Sequence, residues 1–201
     1  MRPRRRRRTR TLGVALAGAL AATGAIGAAA ATAPVASPVK APDATGDVKG
    51  PLDLTRMELS RGSDGRLRAS ITLAAAWTGK DLLASSGPPG SVCLKVWTAS
   101  VPPDTVPDYL VCVTAQADAT LRGSVLQERA NQLPARVGGA DVSRPSTRSV
   151  VVRFSQSSIG SPAKLEVAAE STRAGCPRVS CIDTVPDAPQ TLAFTLKAPT
   201  T

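Results

Sequence analysis

Alternation of apolar and polar residues with a period of two is the feature that most constrains the fold of this chain. Between Arg66 and Leu73, Leu67, Ala69, Ile71 and Leu73 share one side of an extended chain, and Arg66, Arg68, Ser70 and Thr72 share the other. The same period appears at 147–155, 164–170 and 192–196. A period of two indicates a half-buried β-strand.

Weaker strand patterns occupy much of the remaining chain. They lie at 52–59, 92–99, 109–115, 121–126 and 133–142, between clusters of Gly, Pro, Asp and Ser. The only helical candidates are short, at 79–85 and 155–159. About nine short strands with turn signals between them predict an all-β fold, an antiparallel β-sandwich of the jelly-roll or immunoglobulin-like kind.

The N-terminus has the pattern of a secretory signal peptide. Seven of the 25 basic residues stand at the start of the chain, at Arg2, Arg4 to Arg8 and Arg10, and an uncharged Ala-rich run follows up to Val39. Small residues around Ala30 and Ala31 suit cleavage there. We expect a signal peptide at 1–31, a Pro/Ala-rich linker at 32–42 and a β-sandwich domain at 43–198. The alternative is an uncleaved anchor, which the weakly apolar Ala and Gly of this run disfavour.

Cleavage of the signal peptide would remove most of the net positive charge. The whole chain carries +10, but loss of the leader leaves 18 basic and 15 acidic residues, a net charge of +3. Nucleic-acid binding then loses its electrostatic basis. No later apolar run reaches the length of a membrane span, so we expect a secreted protein without one.

Histidine is absent from all 201 residues. This excludes Ser-His-Asp and Cys-His catalytic sites and any metal centre with histidine ligands. The serine pairs Ser85-Ser86 and Ser157-Ser158 form no S-x-x-K motif with Lys80 or Lys95 and no G-x-S-x-G elbow. The four Glu residues, Glu58, Glu128, Glu166 and Glu170, give no pattern that brings two of them together.

The four cysteines predict two disulfides, because an exported chain meets oxidising conditions. If Cys93 faces Cys112 in an antiparallel hairpin, the turn falls at Pro102 and Pro103, where turn chemistry lies. Cys176 and Cys181 then close a small loop. In that register Cys93, Lys95 and Trp97 point towards solvent. Buried free thiols are the alternative.

Three carboxylates, Asp43, Asp47 and Asp53, stand close together beside Gly46 and Gly50. Oxygen ligands in a glycine-containing loop suit Ca²⁺, so these residues form a candidate calcium site. The alternative is that Asp and Gly are only turn residues before the first strand. The spacing does not match an EF-hand.

Two segments, DATGDVKGPLDL from Asp43 and VVVRFSQSSIGSPAKLEV from Val150, resemble secreted β-sandwich domains of the DOMON-like and family-nine carbohydrate-binding-module kind. The resemblance implies a sandwich whose termini meet, and an N-terminal loop that holds a structural calcium in some relatives. Relatives that bind sugars use exposed aromatic rings. By that analogy Trp97 and Tyr109 are candidate ligand-binding residues.

The function that these observations favour is a secreted, non-catalytic binding or structural module. Its expected partner is a glycan or another cell-envelope component, and calcium is its expected cofactor. The alternative is a small secreted hydrolase that uses a carboxylate pair.

Overall fold

The computed structural model describes residues 36–46, 48–98, 106–176 and 178–196, which belong to one compact unit, Ala33–Thr201. The expected signal peptide, Asp47 and the hairpin tip at 99–105 lie outside the described residues. Within the described segments, no helix is long and apolar enough to cross a membrane.

The fold is all-β and antiparallel, as the alternation predicts. The described strands are β1 (Val39–Pro42), β2 (Leu54–Arg61), β3 (Leu67–Leu73), β4 (Ser91–Trp97), β5 (Tyr109–Ala115), β6 (Leu121–Gln127), β7 (Ala135–Ser146), β8 (Ser149–Phe154), β9 (Lys164–Thr172), β10 (Ile182–Val185) and β11 (Leu192–Thr195). Short 3₁₀ helices lie at Gly79–Leu82, Gln156–Ile159 and Val179–Cys181. The first two fall at the positions where the sequence predicts helical turns.

The described strands form one hydrogen-bonded sheet in the order β1-β2-β3-β8-β7-β6-β5-β4-β9-β10, and β11 also pairs with β9. The long strand β7 joins the two halves, because its first part pairs with β6 and its second part with β8. The sheet curls so that β10 contacts β2 and β11 contacts β1.

The inward side of the curled sheet buries a single apolar core. Both halves contribute, since Leu67, Ala69 and Ile71 of β3 and Val92, Leu94 and Val96 of β4 belong to the same cluster. These residues are the apolar members of the alternating pattern, so each strand places its apolar side on the core.

Strand β1 corrects the expected domain boundary. Val39–Pro42, which the sequence assigns to the linker, pair with β2 from Val39 opposite Leu59 to Pro42 opposite Arg56. Ala41 is buried, and Pro42 ends the strand at the outer edge of the sheet. An edge strand tolerates proline because one side of its backbone needs no ladder partner.

Both expected disulfides are present, Cys93 with Cys112 and Cys176 with Cys181. Cys93 faces Cys112 across β4 and β5, which is the predicted hairpin register. Val92, Leu94 and Val96 point into the core from the other side of β4, also as predicted.

Buried polar side chains join the two ends of the sheet. Thr55 is the extra residue of a β-bulge in β2, and just before it the Leu54 N–H donates to Asp183 Oδ2 of β10 at 2.5 Å. The Ser171 hydroxyl of β9 donates to the Leu52 carbonyl at 2.5 Å. Asp183 is 3% exposed and Ser171 is 1% exposed. Since a bulge turns backbone groups away from the ladder, these contacts satisfy groups that would otherwise be buried unpaired.

Gly123 lies where the backbones of β6 and β7 approach each other closely. A Cβ at Gly123 would lie 2.2 Å from the Ala140 carbonyl oxygen, whereas a Cβ at Gly139 would meet only an Arg136 side-chain nitrogen at 3.9 Å. We expect Gly123→Ala to lower the free energy of unfolding by about 1–3 kcal/mol through overpacking. Gly139→Ala should leave it unchanged or raise it slightly, by less than about 1 kcal/mol. Urea denaturation of both variants checks this, and equal stabilities would contradict the close approach of β6 and β7.

Candidate functional site

The loop between β1 and β2 carries the three carboxylates of the expected calcium site. Its two ends are held together, because the Asp43 N–H donates to the Thr55 carbonyl at 2.9 Å. The Gly46 N–H donates to Asp53 Oδ2 at 2.9 Å, so the Asp53 side chain folds the loop back on itself. Gly46 and Gly50 have φ angles of 94° and 114°, which glycine adopts without strain.

Asp53 is the buried member of this loop, at 4% exposure. Asp43 is half-buried, and Asp47 lies outside the described residues. Among the residues that the structure describes, no three acidic, Cys or His side chains are grouped so as to hold a metal ion.

Trp97 lies on the outward side of β4, where the register predicts it. The residue is only 8% exposed, so little of its ring is accessible from outside. The Lys95 ammonium lies 5.6 Å from the centre of its ring and forms an ion pair with Glu170 at 3.1 Å. Trp97 thus packs beneath neighbouring polar side chains, as strand residues commonly do.

Tyr109 lies on the opposite side of the sheet. It faces Val96 across β4 and β5 and packs against the core. The residue that faces Tyr109 is the neighbour of Trp97 in β4, and neighbouring residues of a strand point to opposite sides of the sheet. Trp97 and Tyr109 therefore cannot form one aromatic surface. The other three rings of the chain, Trp77, Phe154 and Phe194, are fully buried.

The glutamates of β9 have structural partners. Glu170 pairs with Lys95, and Glu166 accepts a hydrogen bond from the Thr191 hydroxyl at 2.7 Å. Both point outward from the same strand, four positions apart, which corresponds to about 13 Å along a strand. Glycosidases need their two carboxyl groups roughly 5 to 9.5 Å apart.

One carboxylate pair that the sequence did not predict comes from the β5–β6 register. Tyr109 faces Gln127, and the Glu128 N–H donates to the Asp108 carbonyl at 2.9 Å, so Asp108 and Glu128 face each other on the outward side. Asp108 Oδ2 also accepts hydrogen bonds from Thr98, at 2.6 Å from its N–H and 2.9 Å from its hydroxyl. These bonds tie Asp108 to the end of β4, a structural task.

A further carboxylate belongs to a turn. Thr120 donates to Asp118 from its hydroxyl and its N–H, at 2.7 and 3.0 Å, and these bonds hold the pKa of Asp118 below its ordinary value. Asp118 is exposed in the β5–β6 turn, and the hydrogen bonds close that turn.

The outward side of β2, β3, β8 and the second part of β7 forms a polar surface that we call the arginine face. Across it, Arg68 of β3 faces Arg153 of β8, and Arg153 faces Asp141 of β7. Asp141 forms its ion pair with Arg66 instead, and Arg66 also donates to the Arg153 carbonyl at 2.9 Å. In the described part of the chain, the Arg68 and Arg153 side chains make no hydrogen bond or ion pair.

The arginine face is basic overall. With the outward residues of β1 included, it carries five basic and two acidic side chains, namely Lys40, Arg56, Arg66, Arg68 and Arg153 against Glu58 and Asp141. Val151, the next outward residue of β8 after Arg153, lies between Ser70 and Ser143 and is only 1% exposed, so the side chains around it cover it closely.

Sequence reasoning placed Arg66 and Arg68 on the polar side of their strand and Arg153 on the polar side of another. It could not bring them together, because β3 and β8 are far apart in the chain and nothing local specifies that they pair. A signal does exist, since arginine at outward positions of two predicted strands makes a basic face wherever those strands are neighbours.

No protein-family model matches this chain, and no characterised protein or solved structure is detectably similar to it.

Proposed function

We propose that this chain is a secreted, non-catalytic module that binds a carbohydrate of the cell envelope. The observation that carries the proposal is the arginine face, an outward polar surface on a sheet whose other side is fully occupied by the core. Such a surface offers charged and hydrogen-bonding groups in fixed positions, which is how a rigid scaffold presents a binding site.

An extracellular location is supported by the two disulfides and by the pattern of residues at the N-terminus. The two disulfides are compatible with an extracellular protein, because such bonds persist in oxidising compartments. The basic, apolar and small-residue regions at the start of the chain have the order of a signal peptide.

A non-catalytic role is supported by the tasks of the carboxylates. Asp53 and Asp183 hold buried backbone groups, and Glu166 and Glu170 are paired on the outward side of β9. Asp108 and Glu128 are the pair on which the hydrolase alternative depends, and Asp108 is already bound to Thr98.

The resemblance to DOMON-like and family-nine carbohydrate-binding domains is part of this proposal, and so is a two-layered sandwich arrangement of the curled sheet. The approach of β1 to β11 supports both, because the resemblance implies that the terminal segments of the domain meet.

Carbohydrate binding without hydrolysis is tested by passing the purified chain over immobilised neutral and anionic polysaccharides and measuring the reducing ends released. We expect the protein to be retained and no reducing ends to appear. Release of reducing ends that is lost in Glu128→Gln would contradict the proposal and support the hydrolase. Failure to be retained by any polysaccharide would contradict carbohydrate binding.

We also propose a structural calcium in the β1–β2 loop, bound by Asp43, Asp47 and Asp53. The composition of the loop supports it, because oxygen ligands in a glycine-containing loop suit Ca²⁺. The contact of Asp53 with Gly46 brings the two parts of the loop together, as binding of one ion would require.

Calcium should therefore raise the melting temperature of the purified chain relative to a chelator. At a hundredfold excess over its dissociation constant the gain is about 2.7 kcal/mol, which corresponds to several degrees for a domain of this size. Asp43→Asn should abolish the shift, and the control Asp64→Asn, in the β2–β3 turn, should retain it. A melting temperature that is the same with calcium and with a chelator would show that the three Asp residues only form the turn.

A further inference from the structure

We propose that the carbohydrate recognised by the arginine face is an anionic polysaccharide, whose acidic groups bind between Arg68 and Arg153. This inference rests on the proposed function and deepens it, because it names the class of polymer and the residues that select it.

The position of the two arginines is the first argument. Arg68 and Arg153 face each other on adjacent strands in the middle of the half-sheet formed by β1, β2, β3, β8 and β7. Like charges directly opposite each other destabilise a sheet. An anion between them removes that repulsion and replaces it with charge-assisted hydrogen bonds, and the planar guanidinium group matches acidic oxygens with two donors at once.

The ion pair beside them is the second argument. Asp141 lies opposite Arg153 in the register, yet its carboxylate is paired with Arg66. The acidic residue that could have neutralised Arg153 is thereby held by a third arginine. Arg153 is exposed and Arg68 is half-buried, so both charges are available to a ligand that approaches from outside.

The aromatic residues are the third argument, because they exclude the main alternatives. Neutral sugars and nucleobases are commonly held by stacking on exposed rings. All five rings of this chain lie in described residues and none lies on the arginine face, because four of them are buried and Tyr109 is half-buried against the core. The face must therefore bind through charge and hydrogen bonds, which favours an acidic polysaccharide over a neutral glycan or a single-stranded nucleic acid.

Hydroxyl groups lie next to the two arginines. Ser60 of β2 faces Arg68, and Ser70 of β3 and Ser143 of β7 occupy the next outward positions along their strands. A hydroxyl both donates and accepts hydrogen bonds, so it can pair with sugar hydroxyls as well as with acidic groups. This combination of cations and hydroxyls suits a polymer that carries both kinds of group.

The test compares binding of the purified chain to polygalacturonate, whose sugars carry carboxylates, with binding to neutral dextran, duplex DNA and vesicles of anionic lipid. We expect polygalacturonate to bind most tightly and its affinity to fall as salt is added. Arg68→Gln combined with Arg153→Gln should weaken this binding by about tenfold for each arginine. The matched control, Arg122→Gln with Arg178→Gln, removes the same charge elsewhere and should retain the affinity.

The double variant should fold at least as well as the unchanged protein, because it relieves the repulsion between the two arginines. A melting temperature that is unchanged or higher shows that the loss of binding does not result from a loss of folded protein. The inference would be overturned by an equal loss of affinity for polygalacturonate in the control variant, or by unchanged affinity in the Arg68 and Arg153 variant. Tighter binding to DNA or vesicles than to polygalacturonate would also overturn it. Equal retention on dextran and polygalacturonate would overturn it while leaving the proposed function intact, whereas no retention on any polysaccharide would remove both.

Discussion

The interaction on which the rest of the structure depends is the closure of the curled sheet by buried polar side chains. Strands β2 and β10 meet without a backbone ladder between them, and Asp183 and Ser171 make the connection instead. An unpaired backbone group at this joint would cost free energy comparable to a lost hydrogen bond. Because the joint is satisfied, the two halves can enclose one core, and the core in turn holds each strand in its register.

Closure also determines what the surface can do. Once the apolar side of every strand faces the core, the outward positions are left for polar residues, and their neighbours are set by strand pairing. The pairing of β3 with β8 therefore brings Arg68 to Arg153. Two like charges in the middle of a sheet are a local conflict that folding alone does not require, and such conflicts are expected where a protein binds something.

The sequence predicts the strands of this fold because alternation is a local property. The hairpin register follows as well, since a turn at Pro102 and Pro103 and a disulfide between Cys93 and Cys112 require the same pairing. Strand β10 is not predicted because its sequence breaks the apolar alternation, with Asp183 at a buried position and Ile182 at an exposed one. The 8% exposure of Trp97 could not be predicted either, because the strand beside it, on which Glu166 faces Trp97, comes from a distant part of the chain.

The candidate sites, too, combine local features that the sequence predicts with long-range contacts that it does not. The acidic loop is local and could be found from the sequence, but the tasks of its residues could not, since Asp53 binds Gly46 within the loop. Asp183 is one of the most deeply buried charges of the described chain and carries no motif at all. Its role depends on a contact between strands at the two ends of the sheet, which no local pattern encodes.

The most direct test of sheet closure is to replace Asp183 by Ala and to measure urea unfolding together with hydrogen exchange at the Leu54 amide. The matched control is Asp187→Ala, an exposed residue just beyond β10. We expect Asp183→Ala to lower the free energy of unfolding by about 2–3 kcal/mol, because a charged partner of a buried N–H is removed. Exchange at Leu54 should become faster, and the control should show neither effect. Equal stability of the two variants, with Leu54 still protected, would contradict closure through Asp183.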